Sequence, residues 1–451
     1  MTPQYLKEIQ PENMPLFNNA IPLLTFPQEQ FFPLKDPLLF SGINTYREEL
    51  IGPLSTDKKP DLSDIFRIYG EQYRQKHKLS DHQIRVISDI EKCRTFELGY
   101  HIDRCTNCGY EEVLANSCGN RHCPKCQRGK QEKWIESRIE ELLPVKYYHL
   151  VFTLPDKIFP LNIYNQKVIY DLLFKSASET LKDFGRDKKW LGGEIGFYGI
   201  LHTWGQTLVS HPHVHFVVTS GGLDERGNWI FPKYKDKFLF PVKGLSRVFR
   251  GKFIEGLKSE YKDIVFPEDS AGVSKEEKFK NWLKDLCSRD WIVYSKSPFG
   301  GPLEIINYLG RYTHRTAISN SRILSLDNGK VRFRYKNYKR LKDDGHYSWE
   351  ELEIEAEDFI RRYVYHILPA GYHRIRYYGI LSNGNVKRQE ALESLRNEEF
   401  QDIEKDLTVK EDIVCPACQK GKMKLSVLVN RRGKVIRARE LLKEIERFNS
   451  T

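Results

Sequence analysis

Two cysteine knuckles, Cys105-x2-Cys108 and Cys123-x2-Cys126, stand fourteen residues apart and constrain this chain more than any other feature. A Cys-x2-Cys turn brings two sulfurs to one point, and four thiolates hold zinc tetrahedrally at about 2.3 Å. Gly109 and Pro124 are residues that knuckle turns favour. The spacing predicts one zinc held by Cys105, Cys108, Cys123 and Cys126. Cys93, His101, Cys118 and His122 lie in the same block, and Cys415-Pro-Ala-Cys418 adds a third knuckle far downstream. The four residues of the block read either as a second site or as redox-silent core residues, and the leftover thiols Cys93, Cys118, Cys415 and Cys418 suggest a second zinc site closed by the downstream knuckle. Cys287 stands alone and reads as core. Clustered pairs of this kind mean metal rather than disulfide in a reducing compartment. No apolar run reaches the roughly 18 residues of a membrane helix, and no signal peptide is evident at the start. The expectation is a cytoplasmic protein without membrane contact.

The charge is basic and local. Lys plus Arg is 72 against 61 for Asp plus Glu, a net +11. Between Arg311 and Lys342 there are ten basic residues and one acid, Asp327. In Val331-Arg-Phe-Arg-Tyr-Lys the period is two, which predicts a strand with its basic residues on one face. Arg311, Arg315, Arg332, Arg334, Lys336, Lys339 and Arg340 are candidate phosphate contacts. Tyr335 and Tyr338 are interleaved and available for base stacking. A merely solvated strand face is the bland alternative. Placed here, the excess favours nucleic acid over a membrane surface.

The pattern of elements predicts an α+β fold. Residues 1–60 read as an irregular extension. Residues 61–143 hold two helices, capped by Ser63 and by Ser80 or Asp81, then the cysteine block and a charged helix over 128–143. Residues 144–325 begin with a buried strand at Tyr147 and a helix near 163–184. Two more strands follow, Ile195–Trp204 and one starting at His213, then a partly helical insertion over 224–290. Residues 326–405 form a basic region, and 406–451 a knuckle and a basic helix. The order β-α-β-β suggests an antiparallel sheet with helices on one face.

Two constellations carry chemistry. His213 and His215 flank Val214 in a strand, so both imidazoles project from one face, with Cα atoms roughly 7 Å apart. Gln206, upstream, is a candidate oxygen ligand from the neighbouring strand. An N,N,O site with open positions suits Mg²⁺ or Mn²⁺ acting on a phosphate. Structural histidines are the alternative. Tyr308 and Tyr312 are spaced i, i+4 on a helix whose end carries Arg311, His314 and Arg315. Such a pair either packs or supplies a nucleophile beside an anion.

Together these pieces resemble a family. His213-Val-His215 followed by Tyr308-x3-Tyr312 is similar to the HUH and two-tyrosine signature of rolling-circle transposases of bacterial insertion sequences. So are Tyr308-Leu-Gly-Arg-Tyr-Thr-His-Arg and His202-Thr-Trp-Gly-Gln. Asn116-Ser-Cys-Gly-Asn-Arg-His-Cys-Pro-Lys-Cys126 resembles their N-terminal zinc-binding domain. The resemblance covers roughly residues 80–385. It implies an HUH endonuclease domain preceded by a helical zinc-binding domain. It also implies a metal-dependent endonuclease and strand transferase acting on single-stranded DNA with hairpin-forming ends, in the bacterial nucleoid. By the resemblance, Tyr308 and Tyr312 are the nucleophiles and His213 and His215 hold the catalytic Mg²⁺ or Mn²⁺. Gln206 or a residue of the tyrosine helix completes the ligand set, and a 5′-phosphotyrosine is the intermediate. The basic region becomes a DNA contact, and the zinc is structural. A plasmid rolling-circle initiator or relaxase shares the chemistry without the cysteine block. A zinc-binding DNA regulator leaves the His and Tyr pairs unexplained, and a zinc hydrolase leaves the tyrosines unexplained.

Overall fold

The computed structural model describes residues 59–127, 142–233, 239–266, 275–296, 315–341, 347–382, 385–395 and 413–437. In chain order the elements begin with α1 (Leu62–Lys76), α2 (Asp81–Glu91), β1 (Gly99–Cys105) and β2 (Glu111–Ala115). Next come β3 (Tyr147–Thr153), α3 (Phe159–Tyr164), α4 (Gln166–Arg186), β4 (Glu194–Trp204), β5 (Ser210–Leu223) and β6 (Trp229–Ile230). Then follow α5 (Val242–Ser259), α6 (Glu276–Cys287), β7 (Val293–Lys296), β8 (Ile323–Asp327), β9 (Lys330–Leu341) and β10 (Tyr347–Glu355). The last are α7 (Ala356–Val364), β11 (Ile375–Gly379), α8 (Asn385–Leu395), β12 (Met423–Asn430) and β13 (Val435–Arg437). Helices and antiparallel sheets make the α+β class expected from the sequence. Most of the expected 128–143 helix, and the basic helix of the C-terminal segment beyond 437, fall outside the described residues.

Three antiparallel sheets organise the chain. The largest runs β11-β4-β5-β3-β7, with β6 on β5. The second is β10-β9-β8, and the third is β13-β12-β1-β2. Alternation along β5 sends Val214, Phe216 and Val218 into one core, where they join Leu150, Phe152, Phe197 and Leu201. Helices α4, α5 and α6 cover that face through Leu173, Phe249, Phe253 and Leu283. The stretch read as an insertion therefore supplies part of the central core. The opposite face of β5 carries His213, His215 and Val217.

A second core joins distant parts of the chain. Leu62, Ile65 and Phe66 of α1 and Ile87 and Ile90 of α2 pack with Phe333, Phe359 and Tyr363. Packing thus crosses the expected boundary between 61–143 and 326–405. The cap of α1 is Asp61 and not the expected Ser63. The Asp61 carboxylate accepts from the N–H groups of Ser63 at 2.8 Å and Asp64 at 3.3 Å. Asp64 Oδ2 in return accepts from Asp61 N–H at 2.9 Å, closing a capping box. Ser63 itself is buried in the first turn, as the second residue of the helix. Burial alone would raise the Asp61 pKa, but Lys125 at 2.7 Å and the two backbone donors hold it below the usual carboxylate value. A cap of this kind contributes about 1 kcal/mol. Ser80 caps α2 as expected, with Gln83 N–H donating to its hydroxyl at 3.3 Å.

Candidate functional site

The strand register builds a histidine cluster. β4 runs antiparallel to β5 with His202 opposite His213 and Ile200 opposite His215. On the other side β3 places Thr153 opposite His213 and Val151 opposite His215. Side chains alternate, so His202, His213 and His215 share the sheet face away from α4 and α5. One nitrogen of each lies within 4.8 Å of the others. Their ring centres are 4.7–5.4 Å apart. His202 is the ligand candidate that sequence reasoning missed. The signal was present, because a tight β4–β5 hairpin places residue 202 across from 213.

Hydrogen bonds orient the rings. His213 Nδ1–H donates to the His211 carbonyl at 2.6 Å. His215 Nδ1 pairs at 2.8 Å with Nε2 of His149, a buried β3 residue whose ring lies parallel to it. With Nδ1 engaged, Nε2 is the nitrogen His213 and His215 would offer a metal. Burial, then the His211 charge, pushes His213 down to about 3. Burial and the neighbouring histidines hold His215 well below its ordinary value. The imidazoles are therefore neutral at pH 7, as metal ligands must be.

Gln206 is not brought to this cluster. It lies in the turn after β4, where Nε2 donates to Tyr338 Oη at 3.2 Å and Oε1 accepts from Lys336 N–H at 3.4 Å. Both ends of its amide point to β9, which corrects its assignment as the oxygen ligand. The donors that the structure does bring together are the three imidazoles.

Arg315 stands beside the site, and Arg374 and Arg322 lie near Arg315. Arg315 lies close enough to help depress His215, and its carbonyl accepts from Arg374 Nη1 at 2.8 Å. Burial, then Arg121, lowers Arg374 to about 10. Burial, then Arg315 and Arg334, lowers Arg322 to about 10. Guanidiniums depressed by burial and by one another favour an anion between them. Tyr308, Arg311 and Tyr312 lie outside the described residues, as does the side chain of Lys339. The count of ten basic residues and one acid does not carry over into the fold. Seven acids follow between Asp343 and Glu357, and β10 pairs its glutamates against β9. Arg332 meets Glu351 at 3.8 Å, and Arg340 meets Glu350 at 3.3 Å. Arg334 and Lys336 lie instead over Trp349, at 5.2 and 5.5 Å from its centre.

The thiols gather as two tetrads, grouped differently from the sequence expectation. Cys93, Cys118, Cys123 and Cys126 form one. Cys105, Cys108, Cys415 and Cys418 form the other. Neighbouring sulfurs are 3.5–3.6 Å apart in the first and 3.7 Å in the second. Tetrahedral zinc at the usual bond length sets sulfurs about 3.8 Å apart. Backbone N–H groups of Asn120 and Gly421 donate to Cys118 and Cys418, each at 3.4 Å. Cys105 ends β1, and β12 pairs with that strand so that Cys105 stands opposite Met423. This pairing carries the 415–418 knuckle over Cys105 and Cys108. Only glycine fits at 421, where a Cβ would meet Cys105 Sγ at 2.4 Å. Cys287, expected in the core, is exposed at the end of α6.

Comparison with known proteins bears on the same residues. Residues 196–390 match the family described as "Putative transposase". Residues 65–154 match the "Transposase zinc-binding domain". A "Putative transposase y4qJ" of Sinorhizobium fredii is 41% identical over 383 residues, covering 81% of this chain and 94% of that protein. The "Transposase for insertion sequence element IS801" of Pseudomonas savastanoi pv. phaseolicola is 30% identical over 309 residues, covering 68% of this chain and 72% of that protein. No solved structure matches the chain. Among the described residues no helix is long and apolar enough to cross a membrane. The two matched segments hold the histidine cluster and six of the eight clustered thiols, and the chain belongs to the family of zinc-binding insertion-sequence transposases of the IS91 and IS801 type.

Proposed function

We propose that this transposase cuts single-stranded DNA at a site centred on His202, His213 and His215, with Tyr308 and Tyr312 as nucleophiles. The observation that carries the reading is the convergence of three imidazoles, His213 and His215 among them held neutral by burial, beside Arg315. A divalent cation there would neutralise and polarise the scissile phosphate. Three nitrogens and no carboxylate suit Mn²⁺ better than Mg²⁺. The tyrosines come from the adjoining segment. Tyr312 is three residue steps from Arg315, which span at most about 11 Å. The arginines Arg315, Arg322 and Arg374 would hold the strand's phosphates. The tyrosine oxygen attacks phosphorus, the bond to the 3′ oxygen breaks, and that oxygen takes up a proton. The 5′ end is left as a phosphotyrosine, which a free 3′ hydroxyl reverses in strand transfer. Purified protein with Mn²⁺ and a single-stranded element end should give a covalent adduct on a denaturing gel. Adduct still formed by Tyr308→Phe/Tyr312→Phe would overturn the nucleophile assignment.

The sulfur spacing of both tetrads fits zinc, so each is proposed as a structural site. Cys93, Cys118, Cys123 and Cys126 would fix the second core. Cys105, Cys108, Cys415 and Cys418 would tie the β1–β2 hairpin to β12. Metal analysis should return two zinc ions per chain, and Cys415→Ser/Cys418→Ser should leave one. A single zinc unchanged by that double substitution would refute the second site.

A further inference from the structure

The outer face of the three-stranded sheet exposes large aromatic rings. Tyr338 is 57% exposed, Trp349 50% and Tyr347 40%. Along β9, Val331 and Phe333 turn to the core, so Arg334, Lys336 and Tyr338 share the outer face. Trp349 stands opposite Lys336 in the register. The Tyr338 and Tyr347 rings meet edge to face with centres 4.9 Å apart. Tyr335, the other expected stacking residue, lies on the alternate side and donates its hydroxyl to Glu350 at 2.7 Å. The outer glutamates lie toward the far end of the sheet, where they meet Lys330 and Arg332. The rings, with the cations that no outer glutamate pairs, therefore concentrate at one end, and that end is tied to the turn that follows His202. Gln206, four residues beyond His202, bonds Tyr338 and Lys336, and its carbonyl accepts from Arg322. Arg322 also donates to the Arg334 carbonyl at 2.8 Å.

Exposed aromatic clusters on a soluble sheet mark binding surfaces. Rings flanked by cations fit a nucleic acid whose base faces are open, and a duplex hides those faces. We infer that Tyr338, Tyr347 and Trp349 form a stacking platform for unpaired bases of a DNA strand whose phosphates meet Arg334 and Lys336. The inference rests on the proposed function in one respect, that this strand leads to the histidine cluster to be cut. Gln206 is then a positioning residue that ties the platform to the β4–β5 turn.

Binding of a labelled oligothymidine and of a duplex of equal length, with no added divalent ion, tests this. Tyr338→Ala/Trp349→Ala should weaken single-strand binding by roughly tenfold or more per ring and duplex binding by less than about twofold. Tyr338→Phe and Trp349→Phe should keep most of the affinity, since each keeps a ring. Zinc content and unfolding midpoint should match the wild type in all three variants. Unchanged single-strand affinity in the alanine variant, or an equal loss on duplex, would overturn the platform. Adduct formation by the wild type is read separately. Its absence alongside ring-dependent binding would sink the cleavage reading and leave the platform standing.

Discussion

His202→Ala should lower Mn²⁺-dependent adduct formation by at least about a hundredfold, while Gln206→Ala should lower it by less than about tenfold. The first figure follows from what ligands do. Loss of a partner that merely orients a ligand already costs 10–100-fold in metal affinity or activity. His202 is itself one of the three converging imidazoles, and it is buried across the ladder from His213. Gln206 is bound to β9 through both ends of its amide. Its loss should loosen the strand path without emptying the metal position. Single-turnover adduct formation, titrated with Mn²⁺, separates the two. The His202→Ala defect should move to higher Mn²⁺ concentration, whereas the Gln206→Ala defect should persist at saturating metal. A dead Gln206→Ala beside a normal His202→Ala would restore the N,N,O set expected from the sequence.

That contrast shows what is legible in a single sequence. His213 and His215 were readable because period-two alternation is local, and so was the helix-covered antiparallel sheet. The placement of His202 beside them needs the β4–β5 register, which depends on a hairpin of five residues, Gly205 to Val209. The thiol grouping failed for a related reason. Cys105 and Cys108 share a knuckle with each other, but their partners lie some three hundred residues away and arrive only through β1–β12 pairing. Spacing along the chain identified the knuckles and could not rank their combinations. The local charge excess over Arg311–Lys342 is smaller in the fold than along the chain, because neutralising glutamates sit across the ladder on β10.

Cys123→Ser should be the most damaging single substitution outside the histidine cluster, and its damage should be regional. Cys93 and Cys123 are fully buried within the core that joins α1 and α2 to Phe333, Phe359 and Tyr363. The loop between Cys118 and Cys126 is also fastened outward. Tyr363 Oη donates to the His122 carbonyl, Lys125 pairs with Asp61, and Arg121 Nη2 donates to the Pro369 carbonyl at 2.9 Å. Binding of a structural zinc is worth about 10–16 kcal/mol in small zinc modules. Whole domains are stable by only about 5–15 kcal/mol. Removing this zinc therefore exceeds what the surrounding core can absorb. The sheet that bears the histidines has its own core against α4, α5 and α6. Hydrogen exchange on Cys123→Ser should show lost protection in α1, α2 and α7, with α4 and β5 still protected. The platform should go with the lost region, so single-strand binding falls even though the three histidines keep their sheet. Cys415→Ser/Cys418→Ser should instead deprotect β12 and β13 alone, because that tetrad packs with little beyond Met423. Equal protection losses from the two thiol variants would mean that the tetrads do not serve separate cores.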